Sequence, residues 1–222
     1  MKRIIVLSAV LLLVTVGMAW AGTEAYKLVM SKDSKLCAEI LKLFNADTKK
    51  YGEVRYEQHE LFAQLKWRSY ETGEKTYGCE ILRYAIFDIN NDETEDLVIK
   101  YSACLRSQLS DSLFVFPSDS DVLSRLKPGP DGWAPMFTAP NQFNRPGGFY
   151  SLSELDPAQN EGNRVAIGGV FKLNPFIWNK TSYVSMTDLF PEWVVIAKYL
   201  REDKFQDVCY LHGPTFRPLE SQ

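Results

Sequence analysis

The sequence predicts an α+β domain in which one or two N-terminal helices pack on a mainly antiparallel, twisted sheet; an all-β sandwich is the alternative. Residues 34–44 place apolar groups at helical spacing. From Cys79 onward, short runs rich in Ile, Val, Leu, Tyr and Phe are separated by turn residues. Short connections between successive runs favour an antiparallel meander.

The first element is read as a processing segment outside the fold. Lys2 and Arg3 give a positive start, residues 4–16 are almost unbroken apolar, and Ala19-Trp20-Ala21 supplies a small-x-small site. Cleavage is expected before Gly22. The apolar stretch is shorter than the roughly 20 residues a bilayer span needs, so no stable membrane span is expected after cleavage. Residues 1–21 are thus a signal peptide, and residues 22–222 are a single globular domain in the periplasm or secreted. That length suffices for one sizeable core.

In the mature chain, Leu36, Cys37, Ile40, Leu41 and Phe44 form a helical stripe, with Ser31 or Asp33 placed to cap its start. Residues 54–70 are ambiguous. Leu61, Phe62 and Leu65 suit a helix face, whereas Leu65, Trp67 and Ser69 alternate with Lys66, Arg68 and Tyr70 as in a strand. Strands are expected over 80–87, 97–103, 112–116, 164–173, 182–186, 192–200 and 205–211.

Residues 127–148 hold five prolines and four glycines, which makes regular ladders hard to sustain. This long loop carries Trp133, Phe137 and Phe143 beside Asn141. Such a set suits stacking on sugar rings, and also suits covering one end of the sheet.

Charge and cysteine use narrow the class. Loss of Lys2 and Arg3 lowers the basic count from 25 to 23 against 28 acidic residues. A mildly acidic chain without a basic stripe is not built for nucleic acid. Cys37, Cys79, Cys104 and Cys209 make an even set in an exported chain, which reads as two disulfides with three pairings open. If the runs ending at Asp88 and starting at Asp96 form a hairpin, Cys79 and Cys104 fall nearly opposite. Cys37 then pairs with Cys209, tying the N-terminal helix to the last strand. A one-residue slip of register would undo that opposition.

The 88–96 loop, Asp-Ile-Asn-Asn-Asp-Glu-Thr-Glu-Asp, sets oxygen-bearing residues at alternate positions between two apolar runs. Calcium takes six to eight oxygen ligands and accepts a mixed shell of carboxylates, amides and carbonyls. Asp88, Asn90 and Asp92 would give side-chain oxygens, Thr94 its carbonyl, and Asp96 would close the shell. An EF-hand needs Gly at position 6 and Glu at position 12, where this chain has Glu93 and Ile99.

The loop resembles instead the aspartate-rich calcium loop of FG-GAP and VCBS-type repeats, Asp-x-Asn-Gly-Asp-Gly-x-x-Asp between two apolar strands. The matching residues are Asp88, Asn90, Asp92 and Asp96, in one copy of about a dozen residues out of 222. The resemblance implies calcium ligation by those side chains. Asn91 and Glu93 replace the family's glycines; Glu at a left-handed position costs roughly 1 kcal/mol.

Other chemistry is sparse. His59 and His212, the only histidines, lack zinc-site spacing; His59 reads as a surface residue and His212 as a turn residue. There is no Gly-x-Ser-x-Gly elbow, phosphate loop or dinucleotide fingerprint. The expected function is a non-catalytic binding or structural role in the cell envelope, toward an envelope protein or glycan. A hydrolase acting on a glycan or peptide is the alternative.

Overall fold

The structure, a computed structural model, describes residues 25–70, 81–105, 108–125, 150–151, 166–167, 172–188, 192–201 and 204–213. The elements run β1 (Lys27–Ser31), α1 (Ser34–Tyr51), a 3₁₀ turn (Tyr56–Gln58), α2 (Glu60–Ala63), β2 (Arg68–Ser69), β3 (Ile81–Phe87), β4 (Asp96–Leu105) and β5 (Gln108–Pro117). After them come α3 (Val122–Arg125), β6 (Tyr150–Ser151), β7 (Ala166–Ile167), β8 (Lys172–Trp178), β9 (Thr181–Thr187), β10 (Trp193–Arg201) and β11 (Lys204–His212). Two antiparallel sheets result: five strands in the order β1-β11-β10-β9-β8, and four in the order β2-β3-β4-β5. A small β6–β7 pair stands apart from them.

Helix α1 starts where Asp33 accepts a hydrogen bond from the Leu36 N–H at 3.0 Å. It ends on Gly52, left-handed at φ 76°, whose N–H returns to the Thr48 carbonyl. The helix runs seven residues past the stripe that ends at Phe44. Those residues are mostly polar, yet Asp47 and Thr48 are buried, which a hydrophobic pattern does not register. Asn45 adds a clasp, accepting from Tyr26 N at 2.6 Å and donating to Tyr26 O at 3.2 Å.

Strand alternation distributes the large sheet's residues between two cores. On β10, Val194 and Ile196 meet Leu36, Ile40 and Phe44 of α1, while Val195 and Ala197 face the smaller sheet. Ala85, Phe87, Val98 and Leu113 meet them there, with Leu173, Val184 and Met186. The protein is therefore mainly antiparallel β in two sheets, closer at its centre to the sandwich alternative. The N-terminal helix covers the outer face of the larger sheet, as the α+β reading expects.

The meanders β3-β4-β5 and β8-β9-β10-β11 follow the expected connectivity. Residues 54–70 resolve into both expected forms, a 3₁₀ turn and α2 followed by β2. The run expected at 164–173 is displaced: its described parts are β7, and β8, which begins at Lys172 and continues to Trp178. Pro175 lies within β8 without breaking it because β8 is an edge strand, where a missing N–H leaves no ladder partner unserved. Asn179 and Lys180, both at positive φ (48° and 67°), form a two-residue turn into β9. No described helix is long and apolar enough to cross a membrane.

Candidate functional site

The β3–β4 register pairs Phe87 with Asp96, so the acidic segment caps a hairpin. Ile89 is fully buried in the inter-sheet core and pins the loop's second residue. Asp88 accepts from the backbone N–H of Asp92 at 3.1 Å and of Glu93 at 2.9 Å. Asn90 Oδ1 accepts from Asp92 N at 3.0 Å, and its Nδ2 donates to Asp92 Oδ2 at 2.9 Å. Thr94 N donates to Asp92 Oδ1 at 2.9 Å, and Ile89 N to Asp96 Oδ2 at 3.3 Å. Asn91 and Glu93 are both left-handed, at φ 63° and 69°.

The loop is also docked on the larger sheet. Asn91 Oδ1 accepts from Ser182 N at 2.6 Å, its Nδ2 donates to Ser182 O at 3.2 Å, and the Ser182 hydroxyl donates to the Asp88 carbonyl. Burial raises the Asp96 carboxyl above its ordinary range; the Ile89 N–H pulls it back, and the Asp92 and Asp88 carboxylates push it up again. Among the described residues, no three His, Cys, Asp or Glu side chains are gathered tightly enough to hold a metal ion. The donor set still suits a hard cation, since a carboxylate oxygen that accepts one N–H keeps a lone pair.

Of the remaining candidates, Cys37 and Cys209 form the disulfide from α1 to β11, with Cα atoms 5.6 Å apart. Cys79 and the side chain of Cys104 lie outside the described residues, as do Trp133, Phe137, Asn141 and Phe143. His59 departs from the surface reading: its Nε2 lies 2.7 Å from Oδ2 of buried Asp47, which also accepts from Arg55 N at 2.7 Å. It clamps the segment after α1 back onto the helix. His212 is the last residue of β11 rather than a turn residue.

The sequence reading missed a cleft. It lies between residues 53–67 and the end of the inter-sheet face where charged side chains replace apolar ones. Lys100, at 16 % side-chain exposure, reaches Asp111 Oδ2 at 2.8 Å and Asn174 Oδ1 at 3.2 Å. Asp111 further accepts from Ser102 Oγ at 2.6 Å and from Leu173 N at 3.1 Å, which joins β5 to β8. Two lobes share Tyr56, Arg83, Lys100 and Asn174. The inner lobe, about 210 Å³, is completed by Phe62, Leu65, Trp67 and Pro175; the outer, about 410 Å³, by Arg55, Ser102 and Lys172 among others.

One signal for the cleft was present in the chain. Arg83 and Lys100 occupy positions of the same alternation phase as Ala85 and Val98, which face the core. A charge on the buried phase of a strand costs free energy unless it is paired, so it marks a special place. No family model matches the chain, and neither a curated protein nor a solved structure is detectably similar to it.

Proposed function

We propose that the protein is an exported, non-catalytic binding or structural component of the cell envelope whose 88–96 hairpin loop takes one calcium ion. The observation that carries this is the left-handed backbone at Asn91 and Glu93. Those are the two positions that glycine holds in the FG-GAP and VCBS-type loop, and a non-glycine residue adopts that conformation at a cost. The plain turn at Asn179 and Lys180 uses two such residues as well, so the weight lies on their coincidence here with four oxygen-bearing side chains at the spacing of that loop. Asp88, Asn90, Asp92 and Asp96 would supply side-chain oxygens and Thr94 its carbonyl. The ion's charge would offset the mutual repulsion that contributes to the raised Asp96 pKa.

Docking of the loop on Ser182 ties the hairpin to the larger sheet, so bound calcium would brace the two sheets. The disulfide between α1 and β11 suits an oxidising compartment. We assign the second pair to Cys79 and Cys104, which the Ile81–Ser102 pairing would bring opposite each other if continued two residues outward.

Calcium should raise the melting temperature of the mature protein. At a concentration about 100 times Kd the gain is about 2.7 kcal/mol. For a chain of this size that is roughly 5–10 °C. The calcium-dependent increment should vanish in Asp88→Ala and Asp92→Ala, whatever their own melting points. No increment for the parent protein at millimolar calcium refutes the reading.

A further inference from the structure

We propose that the two-lobed cleft binds a small organic anion, a carboxylate carrying one ring or a short acyl chain. The cleft lies apart from the 88–96 loop, and the proposal does not depend on calcium.

The outer lobe supplies the charge. Arg83 is engaged in interactions of its own. The other charged residues described there are the cations Arg55, Lys100 and Lys172 against the anions Glu53 and Asp111. Asp111 is committed to structure, because its two oxygens already serve Ser102, Leu173 and Lys100. That pairing keeps the Lys100 ammonium at the junction of the lobes. An ammonium has three protons; Asp111 and Asn174 take two of them among the described residues, leaving one for a ligand. The Arg55 guanidinium is already engaged, over the Tyr51 ring at 4.2 Å and with Glu53 Oε1 at 3.6 Å, so the charge left for a ligand rests on Lys100 and Lys172. Lys172 is exposed at the rim and makes no ion pair with a described residue.

The inner lobe supplies the apolar contact. Phe62, Leu65, Trp67 and Pro175 line it, and no anion is among its described walls. An apolar cavity of roughly 150 Å³ is enough for a benzene ring, so about 210 Å³ accepts one ring or a short chain. Head and body would be divided at Lys100 and Asn174, which belong to both lobes. A free inorganic anion would use only half of this arrangement.

The test titrates the mature protein by NMR with 4-phenylbutyrate, with 4-phenylbutan-1-ol of the same shape, and with inorganic phosphate. The acid should bind in the millimolar range or tighter, and the alcohol about ten-fold more weakly, the loss expected for a charge-assisted hydrogen bond. Lys172→Glu, a change at an exposed side chain, should weaken the acid by about three-fold or more and leave the alcohol unchanged. Ala63→Phe, also at an exposed position lining the inner lobe, should weaken both. Equal binding of acid and alcohol, or acid binding that Ala63→Phe does not change, overturns the proposal. So does phosphate binding as tightly as the acid, or no acid binding at millimolar concentration.

Discussion

Glu93→Gly should stabilise this protein, although it removes a side chain and adds chain freedom. Glu93 sits at φ 69°, where a Cβ meets backbone oxygen and costs about 1–2 kcal/mol. The conformation is held from both sides, since Glu93 N donates to Asp88 Oδ2 at 2.9 Å and the next amide, Thr94 N, donates to Asp92 Oδ1. Glycine keeps both amides and loses the Cβ. Against this gain stands glycine's extra unfolded-state freedom, worth about 0.5–1 kcal/mol. The net gain is about 0.5–1 kcal/mol, or roughly 1–4 °C in a chain of this length. Urea unfolding of the calcium-free protein measures it directly. Glu93→Ala separates charge from strain: it removes the carboxylate but keeps the Cβ, so it should stay within about 0.5 kcal/mol of the parent. If the glycine variant is no more stable than the alanine variant, backbone strain at Glu93 does not explain the loop's energetics.

Three further outcomes follow. The Cys37–Cys209 bond closes a separation of 172 residues, and the chain-entropy treatment assigns such a loop about 5 kcal/mol as an upper value. The Cys37→Ala/Cys209→Ala double variant should therefore lose several kcal/mol in urea unfolding, and a loss below about 1 kcal/mol would count against that treatment here. Non-reducing peptide mapping should find no free thiol; a free Cys79 or Cys104 refutes the hairpin pair. Burial of Asp188, with the Glu192 carboxylate beside it, pushes its carboxyl up to about 7. A carboxyl raised in the folded state stabilises fully below the unfolded value near 3.9, and that contribution is lost as pH rises through about 7. Melting temperature should thus fall between pH 5 and 8, and fall less in Asp188→Asn; equal slopes refute the assignment.

Much of the fold was legible because it follows periodicity. The α1 stripe of Leu36, Ile40 and Phe44 and the alternation on β3, β4, β10 and β11 are local patterns that burial enforces. The same patterns were silent where polar residues were buried. The last turns of α1 carry Asp47 and Thr48, whose place depends on His59 and Arg55 arriving from later in the chain. Strand β8 was displaced for a related reason. Pro175 signals a break unless its neighbour on one side is missing, and only the sheet order reveals that.

The two candidate sites divide in the same way. The 88–96 loop was readable because its donors and acceptors are within a few residues of one another, and Asn91 and Glu93 take the left-handed backbone that the resemblance to the glycine-bearing loop implies. The cleft was not, since Lys100 and Asp111 on one sheet meet Asn174 on the other only when the two sheets pack, 74 residues separating Lys100 from Asn174. The sequence by itself therefore determined the hairpin, its acidic turn and the antiparallel habit, all of which are set by short-range geometry. Only the tertiary structure decided that there are two sheets, which charges point inward, and where the sheets leave room between them. Those outcomes depend on long-range pairing, which no local pattern encodes.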